Sequence, residues 1–122
     1  MSGTRNKTAG SNWERKIVNE LKEIGFKSVV TSRAESRNLD NKKVDVFCTE
    51  NEFPYYIQAK CYQNYPKLND LINNDDVCKK RPMLVFHQKT IKKGTRFYTE
   101  DEFVSMKKEV FYNILKQLYG YK

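Results

Sequence analysis

The stretch VDVFCTENEFPYYIQAKCY, residues 44 to 62, constrains the fold more than any other. Two β-rich runs flank a short polar segment, which is the pattern of a β-hairpin. With the turn centred on Asn51 and Glu52, Asp45 stands opposite Gln58; a turn two residues longer sets it opposite Lys60. Side chains alternate across a strand, so Tyr56, Gln58, Lys60 and Tyr62 share one face and Ile57, Ala59 and Cys61 the other. Asp45 and Phe47 likewise share a face, opposite Val44, Val46 and Cys48. Asp45, Gln58 and Lys60 therefore converge on a face that also carries aromatic bulk from Phe47, Tyr56 and Tyr62. Polar groups among aromatics need a partner or a chemical task. The plain structural alternative is a solvated face with a cross-strand Asp45–Lys60 ion pair.

Upstream, SNWERKIVNELKEIG (11–25) places Trp13, Ile17, Val18, Leu21 and Ile24 at the spacing of one helical face, with Ser11 as N-cap and Gly25 as stop. FKSVVTSR reads as a strand and AESRNLDNKK as a loop. Beyond the hairpin, Pro66 opens a short helix through Leu68, Leu71 and Ile72, and NNDDVCKKR is a loop. RPMLVFHQ is a continuous apolar run of the kind that forms a strand buried on both faces. KKG marks a turn into a strand at TRFYT. Thr99 and Glu102 form a capping box for a last helix carrying Phe103, Val110, Phe111, Ile114, Leu115 and Leu118 as an apolar stripe. The expected order is α-β-β-β-α-β-β-α, an α/β fold with a mixed β-sheet flanked by helices.

The chain has 122 residues, the size of one domain, expected over 11–122 behind a flexible basic arm at 1–10. The formal net charge of +8 favours a polyanionic partner, nucleic acid before membrane, because the basic residues are spread over strands and loops and not along one amphipathic helix. No apolar run approaches the roughly 20 residues of a membrane span. Three cysteines without C-x-x-C spacing indicate neither a disulfide framework nor a zinc site, which suits a reducing, intracellular setting. Cys48 and Cys61 are expected in the core. His87, the single histidine, is expected to be structural, and Lys92 and Lys93 to be solvated turn residues.

Glu14 lies at the edge of the first helix's core-facing stripe and admits two readings. Ser11-x-x-Glu14 is itself a capping box; alternatively the helix lays Glu14 over the hairpin's polar face, so that two carboxylates, an amide oxygen and a lysine surround one cavity.

NWERKIVNELKEIGF, VVTSR, KVDVF and YIQAK, in this order and spacing, resemble the PD-(D/E)xK nuclease superfamily, and the arrangement is most similar to archaeal-type Holliday-junction resolvases. The resemblance covers about residues 11 to 62 and implies a restriction-endonuclease-like core. It implies that Asp45 ligates a divalent metal, that Gln58 occupies the second acidic position and that Lys60 is the catalytic lysine. Glu14 matches the helical glutamate that completes the site, Arg15 its basic neighbour and Arg33 the arginine after the first strand. Val44 stands where the motif carries proline, and Gln58 where it carries a carboxylate, although Q-x-K occurs in branches of this superfamily. Mg²⁺, with Mn²⁺ as substitute, would take oxygen ligands from Glu14, Asp45, Gln58 and the Ala59 carbonyl. Arg15, Arg33 and Arg37 would grip phosphates without reading sequence.

The expected function is metal-dependent cleavage of branched DNA, with a homodimer supplying the two symmetric cuts that a four-way junction requires. The alternatives are a restriction- or repair-type nuclease on duplex DNA, and a silent nucleic-acid binder on the same scaffold.

Overall fold

The structure, a computed structural model, describes residues 2–36, 43–67 and 81–120, with side chains from residue 10 onward. Helix α1 (Ser2–Ile24) leads into strand β1 (Val29–Thr31) and the single-turn helix α2 (Ser32–Glu35). Strands β2 (Val46–Cys48), β3 (Tyr56–Tyr62), β4 (Met83–Lys93) and β5 (Arg96–Ser105) follow, then helix α3 (Lys108–Leu118). The fold is mixed α/β, with one five-stranded sheet in the order β1-β2-β3-β4-β5. All neighbours are antiparallel except β3 and β4, which run parallel from Tyr56↔Met83 to Tyr62↔Lys89. A parallel pair needs a crossover connection, and most of it, with the helix expected after Pro66, lies outside the described residues, as do Arg37 and Cys78.

The β2–β3 register is Val46↔Ile57, the one that a turn centred on Asn51 and Glu52 produces. β4 is an interior strand, buried over the apolar run as expected: Met83, Leu84, Val85 and His87 are buried. Among the described residues, no helix is long and apolar enough to cross a membrane.

The apolar stripe of α1 makes the main core. Trp13, Ile17, Val18 and Leu21 pack on Val29, Val46, Cys48 and Ile57, with Ala59 and Phe86 at the margin. Burial of Ile17, Val18 and Leu21 contributes about 1.5–3 kcal/mol each. Trp13 Nε1 also donates to the Phe86 carbonyl at 3.1 Å, tying α1 across the sheet to β4. The helix stops where the sequence places its stop. Gly25 has φ 129°, its N–H bonds the Lys22 carbonyl, and the Phe26 N–H bonds the Leu21 carbonyl, the paired closure of a glycine-capped helix.

At its other end α1 departs from expectation. It begins at Ser2, so the segment expected as an arm is helical and Ser11 is an interior residue. Ser11 therefore cannot be the N-cap of a capping box with Glu14, because an N-cap needs unpaired helix-terminal N–H groups beside it.

Thr99 and Glu102 do not cap a helix; both belong to β5, which continues through Phe103 to Ser105. The tight β4–β5 turn explains this. Gly94, at φ 65°, closes a two-residue loop between Lys93 and Arg96, so the residues of β5, apart from Glu100 at a bulge, meet ladder partners on β4 nearby in sequence. Glu102 accepts from Lys16 Nζ at 2.6 Å and from Gln88 Nε2 at 3.0 Å. Phe103 stacks on His87 with centroids 4.7 Å apart. α3 keeps only part of the expected stripe inside. Val110 is buried and packs with Tyr55 and Leu84, whereas Phe111 and Leu118 are exposed.

Candidate active site

Asp45 sits immediately before β2 and is fixed by three hydrogen bonds. Its N–H donates to the Ile57 carbonyl at 2.8 Å, its carbonyl accepts from the Ser32 N–H at 2.9 Å, and its Oδ2 accepts from the Ala59 N–H at 2.8 Å. Ser32, fully buried, also donates its hydroxyl to the Val44 carbonyl. Val44 in turn packs with Phe47 and Met83. The carboxylate thus lies against the amide between Gln58 and Lys60 on β3. In an extended strand the N–H and C=O of one residue point to the same edge, so the Ala59 carbonyl is directed toward the Asp45 side as well.

Alternation along β3 turns Gln58 and Lys60 to one face, both half-buried, and Ile57 and Ala59 to the face on which α1 packs. Four predicted positions, Asp45, Gln58, Ala59 and Lys60, therefore meet around one peptide.

Glu14 is tied to the Asp45 backbone by a route that the sequence does not reveal. It stands on α1 with a side chain only 6% exposed, and its Oε2 pairs with Arg33 Nη2 at 3.2 Å. Arg33 Nη1 donates to the Ser11 hydroxyl at 2.9 Å. Ser32 holds the Asp45 backbone and Arg33, the next residue, holds the Glu14 carboxylate, so the first turn of α2 links the two acidic residues. α1 covers the face opposite Gln58 and Lys60, so the link runs around β1 and α2 and not through a helix laid over the polar face.

The predicted phosphate-binding arginines divide accordingly. Arg15 is exposed and donates to Asn12 Oδ1 within α1. Arg33 is engaged by Glu14 and Ser11, and Arg37 lies outside the described residues.

Two contacts missed by sequence reasoning brace the hairpin. Arg81 donates to the Cys48 carbonyl at 2.7 Å and to Asn51 Oδ1 at 3.0 Å, and its guanidinium lies 5.3 Å from the Tyr56 ring centroid. Glu52 accepts from both the N–H and the hydroxyl of Ser28, which holds its carboxyl below the usual range and ties the β2–β3 loop to the start of β1. Burial pushes the Cys48 thiol up, and Cys61 likewise. Cys48 is fully buried in the α1 core, while Cys61 is half-buried. His87 is fully buried, its ring between Tyr62 and Phe103 and its Nε2 2.8 Å from the Ser105 hydroxyl.

Among the described residues no group of three or more His, Cys, Asp or Glu is gathered as a metal cluster. The donors at the β2–β3 junction are of another composition: one carboxylate, one side-chain amide and one backbone carbonyl, all oxygen. These are the oxygen groups at the junction that could hold a hard divalent cation. No protein-family model, curated protein or solved structure matches the chain.

Proposed function

We propose that the chain is a metal-dependent DNA endonuclease on a restriction-endonuclease-like core, cutting branched DNA as a homodimer. One observation carries the reading: the Asp45 carboxylate is held at 2.8 Å on the Ala59 N–H, with Gln58 and Lys60 flanking that peptide on a shared face. The sheet order, with β1, β2 and β3 antiparallel and a parallel step to β4, is compatible with that core. The net charge of +8 supports a nucleic-acid substrate.

Asp45, Gln58 and the Ala59 carbonyl would hold Mg²⁺ or Mn²⁺. When bound, the ion supplies charge neutralisation at the scissile phosphate and lowers the pKa of the attacking water. Lys60 stabilises negative charge as it builds on the phosphate and orients the water. The Ala59 N–H fixes the Asp45 rotamer before substrate arrives, so little reorganisation is needed at the moment of reaction. Two symmetric copies would set two such sites at a fixed separation for paired cuts.

Gln58 favours a second reading, a nucleic-acid binder that does not cut, because an amide neutralises less of the cation's charge than a carboxylate.

The test uses four-way junctions, flaps and linear duplex with and without Mg²⁺. Junction cleavage that disappears in Asp45→Asn and Lys60→Ala, with salt-sensitive binding retained, supports the resolvase reading. Cleavage of linear duplex at an equal rate replaces it with a duplex nuclease. Wild-type protein that binds but never cuts, in Mg²⁺ or Mn²⁺, leaves only the silent binder.

A further inference from the structure

Seven residues of β4 pair with β3, and the ladder with β3 ends at Lys89. β4 nevertheless runs on to Lys93 and returns through Gly94 and Thr95 into β5. Beyond Lys89, residues 90–93 and 96–99 pair only with each other, in a two-stranded arm about 13 Å long. All residues from Ile91 to Arg96 are exposed.

Charge is segregated along this arm. Its base is acidic: Glu100 pairs with Lys89 and Glu102 with Lys16, and Asp101 between them is exposed. Its outer part, residues 90–99, carries Lys92, Lys93 and Arg96 and no acidic residue. None of these three cations forms an ion pair with a described residue, unlike Lys16, Arg33 and Lys89. Pairing of Ile91 with Tyr98 and of Lys93 with Arg96 puts these four side chains on one face, and Lys92 and Phe97 on the other. Lys93 Nζ lies 6.0 Å from the Tyr98 ring centroid, Lys92 Nζ lies 5.8 Å from that of Phe97, and Tyr98 is 47% exposed.

Three unneutralised cations on a projecting ribbon with an exposed ring suit a polyanion that also offers flat aromatic surfaces. A protein partner fits less well, because interface cores exclude lysine. A membrane surface fits less well too, because the tip, Gly94-Thr95, has nothing apolar to insert.

We propose that the β4–β5 arm grips a nucleic-acid strand beside the one cleaved, with Lys92, Lys93 and Arg96 on its phosphates and the Tyr98 ring stacked on an unpaired base. The proposal rests on the reading of the chain as a nucleic-acid enzyme, and it adds a contact remote from Asp45 and Lys60. An unpaired base is what a branched or single-stranded region presents and a continuous duplex does not.

The test measures binding of fluorescein-labelled single-stranded and duplex oligonucleotides in EDTA, across a salt series. In the triple variant Lys92→Gln, Lys93→Gln, Arg96→Gln, the slope of log K against log salt should flatten by about 2 on single strands and nearly 3 on duplex, since each phosphate contact contributes about 0.7 and 0.9 respectively. Affinity at low salt should fall at least about tenfold. Tyr98→Ala should weaken single-strand binding about tenfold and duplex binding little, with Tyr98→Phe restoring it. An unchanged slope in the triple variant overturns the proposal, as does equal loss on both substrates in Tyr98→Ala. These positions are exposed, so thermal unfolding should match wild type and any loss reports the surface. No cleavage is read, so a wild type that fails to cut would sink the nuclease reading and leave this result standing.

Discussion

The Asp45 carboxylate accepts the Ala59 N–H at 2.8 Å, so the side chain expected to meet a cation also satisfies a backbone donor of the sheet. These two duties separate by substitution. Asparagine keeps an acceptor oxygen and should cost less than about 1 kcal/mol of stability, whereas Asp45→Ala strands the N–H and should cost about 1–3 kcal/mol. Urea unfolding measures both, and cleavage assays should find both variants inactive. An Asn variant as unstable as the Ala variant would mean that the charge itself is structural.

Arg33 joins α2 to a carboxylate that is almost fully buried. Arg33→Ala removes the guanidinium from a buried carboxylate and should destabilise by about 1–3 kcal/mol, less than for a fully sequestered pair because the guanidinium is half exposed. Adding Glu14→Gln should recover most of the loss, since an amide tolerates the same burial without a counter-charge. A double-mutant cycle in thermal or urea unfolding reads the coupling, and strictly additive losses would argue against it.

The Glu52 carboxyl is held below its ordinary range by the Ser28 hydroxyl and then by the Ser28 N–H. A depressed carboxyl stabilises the fold fully above its unfolded pKa, about 4.3, and that stability is lost as pH falls through the folded value. Urea midpoints should therefore drop as pH falls below about 4.3, and Glu52→Gln should flatten this part of the acid limb. Superimposable acid limbs for wild type and variant would remove the linkage.

What could be read from sequence follows the range of the interactions involved. The Gly25 stop, the β2–β3 register and the buried run of β4 are local patterns, and the structure contains them. The contact of Asp45 with the strand of Gln58 and Lys60 follows from the short turn, but strict alternation fails just before β2, where Val44 packs with Phe47 and not on the opposite face. The Thr99-Glu102 motif misled because capping is a weak local preference, and a neighbouring strand across Gly94 offers each residue a ladder bond instead. Ser32, Arg81 and the Arg33–Glu14 pair carry no local signature; each meets partners far along the chain. The Ser11 capping box failed because the helix continues toward the N-terminus, which removes the terminal donors that a cap would satisfy.

His87 tests the boundary between packing and chemistry. Its ring is fully buried between Phe103, 4.7 Å away, and Tyr62, 5.6 Å away, and its Nε2 contacts the Ser105 hydroxyl. An imidazole enclosed in this way cannot reach a phosphate without the sheet opening, so its contribution is to the core. His87→Ala should cost about 3 kcal/mol, the lower end for truncating a buried aromatic ring, since imidazole is smaller than phenyl. Cleavage per folded molecule, measured well below the variant's melting temperature, should stay within a few-fold of wild type. Being the single histidine, it also gives an unambiguous reading with diethyl pyrocarbonate: native protein should resist modification and urea-unfolded protein should react. Rapid modification of the native protein, accompanied by loss of cleavage, would move His87 from the core to the reacting surface.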